Sequence, residues 1–447
     1  MSETVIFKPI RLKNTLFKNR IIRSSLGGPW AQYDGKITPT WSAFEERFAR
    51  GGVAAIISAT VSVDAERCAP LAYPQLTAER FVPAWQKCIE TVQAYNCRYI
   101  LQLGDPGAHT QTALWPNEHH RASASATFDL FYGYQTTSQA MTTAQIEQTV
   151  DNFTQSAHWA QQTGCDGIEI TASKGYLLHQ FLNPATNRRQ DKYGGDMWRR
   201  FQFLKEVIEG VRSRVGGEML LGVRLSAVDF NYLPVWNVRW PPRWPWQLYW
   251  QGNGLTETTA YGRALANLGV DYLHITAGFG FPNPHETPGH FPAAEVRAFA
   301  NSTRHLSHKS RWRVFLLHMF PLWLTHYLLQ WGWGVRDNGR WAEAMQSAVG
   351  IPVIANGGFQ QQERVAEVLS SGISLVSMAR PLLANPDLLR WWQRGVEGAE
   401  RPCTWCNRCT LRTTNYPLAC YDPTRFDSLD AMHEQILSWS ASVDDID

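Results

Sequence analysis

The sequence has little net charge and no long apolar segment at its start. Its 42 basic and 39 acidic residues give a formal charge of +3, so no strong electric field attracts nucleic acid or an acidic partner. Charged side chains interrupt residues 1–20, which excludes the hydrophobic region of a secretory signal. No G-x-G-x-x-G motif follows a predicted strand, so no internal Rossmann domain is predicted. We therefore expect a cytoplasmic protein that does not bind nucleic acid.

Short apolar runs alternate with helical patterns along most of the chain, in which 44% of the 447 residues are hydrophobic. The runs cover 20–25, 53–60, 98–103, 166–171, 219–225, 271–276, 351–355 and 373–378. Because they lack strict polar alternation, they are typical of parallel strands buried on both faces, and 143–163 and 197–214 supply connecting helices. The pattern predicts an α/β fold, a (β/α)8 TIM barrel. A doubly wound open sheet is the alternative that periodicity leaves open.

Two segments interrupt this pattern. Residues 231–254 contain five tryptophans and several prolines, which indicates an ordered insertion loop. Residues 312–333, within a second insertion over 302–345, are almost wholly apolar. Pro321, His318 and His326 disfavour a membrane-spanning helix there. Three interpretations of this segment remain open: a lid or wall over the active site, a helix at a membrane interface, and an oligomer contact.

Four of the eight cysteines gather near the C-terminus, at Cys403, Cys406, Cys409 and Cys420. The C-x2-C-x2-C spacing with a fourth cysteine nearby indicates metal ligation and not disulfide bonding. An iron–sulfur cluster uses such a set, and so does structural zinc; reduced thiols without a metal are the third alternative. We therefore divide the chain into a barrel over 1–395 and a Cys-rich extension over 396–447.

The last two predicted strands end in groups that suit a phosphate. Asn356, Gly357 and Gly358 follow the seventh strand, and glycine lets backbone N–H groups approach an anion closely. Ala379 and Arg380 follow the eighth strand, where a guanidinium can make a bidentate phosphate contact. Loops after strands seven and eight are the usual phosphate site of this barrel. The sequence therefore predicts a phosphate-bearing ligand at this position.

The segment 166–195, DGIEITASKGYLLHQFLNPATNRRQDKYGG, closely resembles the strand-four signature of the Old Yellow Enzyme (NADH:flavin oxidoreductase) family and of its bacterial 2,4-dienoyl-CoA reductase relatives. Further matches follow in order in FKPIRLKNTLFKNRII, ILQLGDPG, GVRLSAVDF, IPVIANGGF and MARPLLANPDL. The resemblance covers nearly all of residues 6–430 outside the Trp-rich insertions. It implies an FMN cofactor, NAD(P)H as reductant, and reduction of an activated C=C bond in a small molecule. Some relatives carry similar cysteine sets after the barrel, ligating a [4Fe–4S] cluster.

The same resemblance assigns roles to particular residues. It implies flavin contacts from Ser25, Leu26, Gly27, Ala59 and Gln102. Arg224 would lie near the N1 and C2-oxygen region, where a fixed guanidinium stabilises the anionic reduced flavin. Tyr176 matches the tyrosine that gives a proton to the substrate, as a phenol can do when it acts as a general acid.

The sequence departs from its relatives where they bind the substrate oxygen. The usual pair, a His followed three positions later by His or Asn, is replaced by Thr171 and Lys174. An ammonium can hold an oxyanion or a carboxylate more strongly than neutral imidazole. Alternatively, Lys174 pairs with Glu169 or Asp105. The tryptophan-rich insertions favour a large apolar substrate. The main prediction is an ene-reductase that works without a partner, and the alternative is an FMN and iron–sulfur electron-transfer subunit that works with a partner protein.

Overall fold

The computed structural model describes residues 5–67, 73–109, 122–125, 127–128, 137–231, 235–236, 248–249, 252–280, 283, 287–304, 308–319, 337–413 and 416–440. Eight parallel strands close into a barrel. They are β1 (Ile21–Arg23), β2 (Ala55–Ser62), β3 (Arg98–Gly104), β4 (Gly167–Ala172), β5 (Leu220–Ser226), β6 (Tyr272–Thr276), β7 (Val353–Asn356) and β8 (Leu375–Met378). Each pairs with its successor and β8 pairs with β1, which confirms the predicted TIM barrel.

The strands form because their residues are buried on both faces. All eight residues of β2 and all seven of β5 are buried, and each observed strand lies within two residues of its predicted run. One face of each strand packs on the surrounding helices, and the other fills the barrel. The open-sheet alternative is excluded by the pairing of β8 with β1, in which Val376 lies opposite Ile21.

Helices surround the barrel and follow its strands. In chain order they are α1 (Pro39–Arg50), α2 (Val82–Gln93), α3 (Thr143–Gln162), α4 (Leu177–Leu182), α5 (Met197–Val215), α6 (Leu255–Asn267), α7 (Ala293–Thr303), α8 (His308–Met319), α9 (Gly339–Ala348), α10 (Gln362–Ser370), α11 (Arg380–Ala384), α12 (Leu388–Gln393), α13 (Arg408–Arg412) and α14 (Leu429–Ser440). Local caps fix their starts: Thr142 forms a capping box with Gln145 on α3, and Asp196 caps α5.

A hairpin closes the N-terminal end of the barrel. Strands Ile10–Leu12 and Thr15–Phe17 pair antiparallel, and their side chains Leu12 and Phe17 pack with a layer of interior residues. That layer comprises Ile22, Ala54, Ala55, Ile57, Ile100, Leu220, Tyr272, Ile354 and Leu375. Because this end is plugged by apolar side chains, the opposite end, where the strands terminate, is the open mouth.

The predicted insertions are described in part. Residues 235–236 and 248–249 of the first insertion pair with each other, and Trp236 also pairs with Phe128 in a small peripheral sheet. Helices α7 and α8 and the start of α9 lie in or beside the second insertion, whereas residues 320–336 fall outside the described ranges. In the part of the chain that is described, no helix is both long enough and apolar enough to cross a membrane.

The Cys-rich extension packs onto the barrel and shares its core. Leu418, Ala419 and Tyr421 join the main hydrophobic cluster, and so do Met432 and Ile436 of α14. Helix α14 lies against α1, and α13 lies against α7. The extension is therefore held against the side of the barrel mouth near the loops of β6 to β8.

Candidate active site

Parallel topology brings the predicted site residues to one end of the barrel. Gln102, Thr171, Arg224 and Asn356 lie in the last halves of β3, β4, β5 and β7. The others follow strand ends: Ser25, Leu26 and Gly27 after β1, Lys174 and Tyr176 after β4, Gly357 and Gly358 after β7, and Ala379 and Arg380 after β8. Loops at this end form the reactive face of such barrels.

Tyr176 lies partly buried at the mouth, immediately before α4. Burial raises the pKa of its phenol, although a hydrogen bond with Thr60 and the positive charge of Arg224 act in the opposite direction. Its ring contacts the ring of His109 edge to face, with 6.4 Å between the centroids. The phenol therefore keeps its proton at neutral pH, as a proton donor requires.

A bulge in β2 positions Gln102 on the neighbouring strand. The pairing register of β2 with β3 shifts between Ile57 and Thr60, and the Ser58 hydroxyl accepts a hydrogen bond from the Gln102 backbone N–H, 2.9 Å away. The shift re-aims the next side chains, as bulges near active sites commonly do. Thr60 Oγ1 consequently donates to Gln102 Oε1 over 2.8 Å. This fixes which end of the amide carries oxygen.

Arg224 is 92% buried at the end of β5, since its relative exposure is 8%. Its positive charge favours the deprotonated forms of Glu169 and Tyr176 and the neutral form of His274, so these three groups lie within its electrostatic range. A guanidinium fixed in a water-poor site stabilises an anion there without rearrangement. The role of Arg224 beside a flavin stays a prediction.

The loop after β4 holds Lys174 in an unusual backbone conformation. Lys174 has φ 57° and Gly175 has φ 75°, both in the left-handed region. Lys174 Nζ donates to the Ala277 carbonyl oxygen at 3.1 Å, across the mouth on the segment after β6. Thr171, 2% exposed, lies beside Gly104 of β3.

Both carboxylates that we considered as partners for Lys174 are held by other groups. Asp105 forms an ion pair with Arg67, with 2.7 Å from Nε to Oδ2. Glu169 accepts hydrogen bonds from Gln102, Tyr272 and His274. Neither carboxylate needs Lys174 to satisfy its charge.

The turn after β7 has the conformation that only glycine adopts readily. Gly357 and Gly358 have φ of 105° and 86°, and a Cβ on Gly358 would lie 2.6 Å from the Asp337 Cα. The Asn338 side chain donates to the Asn356 carbonyl at 2.9 Å, and its backbone N–H donates to the Gly357 carbonyl at 3.0 Å. The two hydrogen bonds from Asn338 thus fix the turn in a conformation that an anion-binding loop can use.

Arg380 begins α11 at the end of β8, as predicted, and it also contacts the Cys-rich extension. Its Nη1 donates to the Pro288 carbonyl at 2.9 Å and to the Asn407 side chain, and its guanidinium lies 4.8 Å from the ring centroid of Trp405. A guanidinium carries five N–H donors in a planar fork, so these contacts are compatible with a further contact to phosphate. Arg380 therefore joins the proposed phosphate end of the mouth to the cysteine segment.

The four cysteines face a common region. The pKa of the Cys409 thiol is raised to about 12 by burial, with Arg380 lowering it and Cys403, Cys420 and Cys406 raising it further. Arg425 Nη1 also donates to Cys420 Sγ at 3.0 Å. Among the described residues, however, no group of three or more His, Cys, Asp or Glu side chains is placed to hold a metal ion as it stands. The donor chemistry fits a metal, but the arrangement of the thiols does not complete a site.

The rest of the mouth fits FMN. An amide of fixed orientation, a buried cation and a glycine turn are the groups that a flavin ring and a phosphate need, and they occupy the ends of β3, β5 and β7. Gly27 also matters, because a Cβ there would lie 2.1 Å from the Tyr73 hydroxyl. Ala59 is fully buried within the bulged part of β2, at the floor of the mouth.

Sequence reasoning missed an interior polar layer. Thr60, His274 and Ser377 line the barrel with Glu169, and His109 lies beside Tyr176. A signal existed: Gln102, His274, Asn356 and Ser377 each lie two residues after an interior apolar residue, namely Ile100, Tyr272, Ile354 and Leu375. Since strand side chains alternate with a period of two, they point the same way.

Comparison of the sequence with curated proteins identifies relatives of this chain. The chain is 26% identical over 412 residues to the NADH oxidase of Thermoanaerobacter brockii, covering 90% of this chain and 52% of that protein. It is 23% identical over 428 residues to the cinnamate reductase of Clostridium sporogenes, covering 92% and 56%. The chain thus spans about half the length of these curated relatives.

A solved structure shows the same fold. The old yellow enzyme homologue from Zymomonas mobilis aligns with a TM-score of 0.63 at 18% identity, covering 94% of this chain and 98% of that one. A family model described as NADH:flavin oxidoreductase / NADH oxidase matches residues 5–232, which include the bulged β2, Gln102, Tyr176 and Arg224. The chain therefore belongs to the NADH:flavin oxidoreductase / NADH oxidase family.

Proposed function

We propose that the chain binds FMN across the barrel mouth and uses NAD(P)H to reduce an activated C=C bond. The observation that carries the proposal is the meeting of an oriented amide, a buried guanidinium and a partly buried phenol: Gln102, Arg224 and Tyr176. These three groups come from different strands, and each suits one part of flavin-dependent reduction. Ser25, Leu26, Gly27 and Ala59 would contact the flavin, and Asn356, Gly357, Gly358, Ala379 and Arg380 its phosphate.

FMN bound there would supply the hydride chemistry that links NAD(P)H to the β-carbon of the substrate. Arg224 holds positive charge where the reduced ring is anionic. Tyr176 delivers the proton that the α-carbon needs, because burial keeps its phenol protonated. The net change is one hydride and one proton added across the double bond, and Tyr176 recovers its proton from solvent.

The substrate needs an electron-withdrawing group that Lys174 and Thr171 can hold. Lys174 lies beside Tyr176 in the chain, and its Nζ reaches across the mouth to the residue after β6. An ammonium suits the oxyanion of an enone or the carboxylate of an unsaturated acid. A relative named cinnamate reductase is consistent with a substrate of the second kind. The tryptophan-rich insertions favour a large apolar body on the same molecule.

Rapid-reaction kinetics of Tyr176→Phe test the proposal. We expect anaerobic reduction of bound FMN by NADPH or NADH to stay within about twofold of wild type, and reoxidation by an enone or cinnamate to slow by about 100-fold or more, because general acid catalysis typically contributes this much. Tyr261→Phe is the matched control, since its hydroxyl donates to the Met197 carbonyl between α6 and α5 and not to a group of the proposed flavin site. Purified protein that binds no FMN, or an unchanged reoxidation rate in Tyr176→Phe, would contradict the proposal.

The contact of Arg380 with Asn407 and Trp405 favours a second candidate, an electron-transfer subunit. In that role Cys403, Cys406, Cys409 and Cys420 would bind a [4Fe–4S] cluster, and a partner protein would exchange electrons with the chain; zinc at the same cysteines would be structural only. Iron and zinc analysis of anaerobically purified protein tests the metal, with roughly four iron atoms per chain expected for the cluster. Flavin that is reoxidised by a small substrate without a partner would reject this candidate in favour of the first.

A further inference from the structure

A buried hydrogen-bonded network crosses the barrel beneath the proposed flavin site. Gln102 Nε2 donates to Glu169 Oε1 at 2.6 Å. His274 Nδ1 lies 3.0 Å from Glu169 Oε2, and its Nε2 lies 2.8 Å from Ser377 Oγ. Tyr272 donates to the same carboxylate at 3.2 Å. The network links β3, β4, β6 and β8, and its members are at most 1% exposed.

The network determines how Gln102 is presented to the mouth. Thr60 occupies one lone pair of the amide oxygen, and Glu169 takes one of the two amide protons. The amide therefore cannot flip without losing both bonds, since the hydrogen bonds of a buried polar group are costly to leave unmade. Gln102 is the residue that we expect at the pyrimidine edge of the flavin. Glu169 thus acts on the flavin site through Gln102.

Glu169 also brings a negative charge close to the site. Burial would raise the pKa of Glu169, but the interaction with His274, the positive charge of Arg224 and the hydrogen bond from Gln102 together lower it. Burial lowers the pKa of His274, so the imidazole is neutral near pH 7 and the pair carries the charge of Glu169 alone. Three charged or titratable groups face Glu169 and His274, namely Arg224 of β5, Lys174 after β4 and Tyr272 of β6. The carboxylate consequently offsets part of the field of Arg224 in a region where charges are weakly screened.

We propose that Glu169 is a positioning residue that orients Gln102 and, through its negative charge, holds down the reduction potential of FMN in this site. This inference rests on the proposed function. Arg224 favours the anionic reduced flavin and Glu169 opposes it, so the two residues together set the potential. A lower potential makes the reduced flavin a stronger hydride donor toward the C=C bond.

Glu169→Gln separates the charge from the shape of the network. The amide can still accept from Gln102, and the imidazole of His274 can accept from the new amide at Nδ1 and donate to Ser377 after a change of tautomer. The Tyr272 hydroxyl, which donates to Oε2 in wild type, reverses its role and accepts the second amide proton. The substitution therefore removes one negative charge while keeping the hydrogen bonds. Tyr272→Phe removes one hydrogen bond from the Glu169 carboxylate and leaves its charge in place. The electrostatic potential at the proposed flavin site therefore becomes more negative.

Spectroelectrochemical titration of the flavin-loaded protein tests the inference. For Glu169→Gln we expect reduced FMN to be favoured over oxidised FMN by about tenfold relative to wild type, which is a rise of about 30 mV for a two-electron couple. For Tyr272→Phe we expect a smaller shift of opposite sign, about twofold. In stopped-flow experiments, Glu169→Gln should speed the reduction of the flavin by NAD(P)H and slow its reoxidation by substrate. A general loss of structure would slow both.

Glu45→Gln is the matched control. Glu45 is another fully buried carboxylate, but it pairs with Arg23 between β1 and α1, on the outer face of the barrel. We expect it to lower stability and leave the potential unchanged. Unchanged potentials in both Glu169→Gln and Tyr272→Phe would overturn the inference. Wild-type protein that binds no FMN would instead overturn the proposed function, so the two failures are distinguishable.

Discussion

Replacing Asp229 should disorder the loop that carries Lys174 and Tyr176. Asp229 is fully buried, and its Oδ1 lies 2.7 Å from Nε2 of His179. Its Oδ2 accepts from the Asn183 side chain and from both the backbone N–H and the side chain of Asn253. His179 in turn accepts the Gly175 backbone N–H at Nδ1, 2.9 Å away. The Nδ1 bond places the imidazole proton on Nε2, so His179 links Asp229 directly to the loop.

The effect of Asp229→Ala on stability follows from the hydrogen-bond donors that lose their acceptor. Hydrogen bonds to a charged acceptor contribute about 1.5–3 kcal/mol each, and losing one partner of a buried ionic group costs about 3–5 kcal/mol. Water entering the vacated space satisfies some of the four donors, so we expect a loss of about 4 kcal/mol in the free energy of unfolding. At roughly 2 °C per kcal/mol for a large domain, the melting temperature should fall by about 8 °C.

Hydrogen exchange and kinetics provide the assay. The Gly175 amide should lose protection in Asp229→Ala, and substrate reduction should slow by about 100-fold, since displacements of about 1 Å in an active site have effects of that size. Asp271→Ala is the control: Asp271 accepts from Arg212 and the Leu221 N–H at the opposite end of the barrel. It should lose stability without loss of Gly175 protection. If Gly175 remains protected in Asp229→Ala, the proposed support of the loop is refuted.

Two further predictions concern the turn after β7 and the contact between the extension and α7. Gly358→Ala should lower both FMN affinity and stability, because the new Cβ would meet Asp337. Gly372→Ala is the control: it also has positive φ but no atom within 4 Å, so it should cost only about 1–2 kcal/mol of backbone strain. Equal effects of the two substitutions in fluorescence-monitored FMN titration and chemical denaturation would contradict this. The pKa of Glu295 is lowered, chiefly because Arg412 donates a hydrogen bond to its carboxylate. The ion pair therefore stabilises the protein above the ordinary pKa of Glu, and this stabilisation is lost as the pH falls through the lowered pKa of Glu295. Glu295→Gln should therefore lower the free energy of unfolding by about 1 kcal/mol at pH 7 and match wild type in acid, and a difference that persists in acid would exclude this ion pair as its cause.

The linear order of residues was enough to predict the barrel and the main part of its mouth. Buried apolar runs mark all eight strands, because each strand of a closed parallel barrel is covered on both faces. Residues that end a strand in sequence also lie at the C-terminal mouth, so the location of Arg224, Tyr176 and the Gly357–Gly358 turn could be predicted before any coordinates, whereas their roles stay predictions. This success depends on topology, which sends every strand end to the same side.

The cysteine segment was predicted less completely. Spacing alone indicated a shared ligand set for Cys403, Cys406, Cys409 and Cys420, and the structure brings their charges into mutual range. It does not show a complete coordination shell within the described residues. The contact of Asn407 and Trp405 with Arg380 had no signal in the sequence, because it joins a loop of the extension to a strand end through tertiary packing.

The amino-acid sequence by itself determined the β/α alternation, the family signature after β4 and the residue types at each strand end. Tertiary structure alone decided which buried polar groups meet: Glu169 with His274, 105 positions apart, and Lys174 with the carbonyl of Ala277. The physical reason is barrel closure. It places side chains from strands that are remote in sequence opposite one another across a narrow interior, where each buried polar group must find its partner.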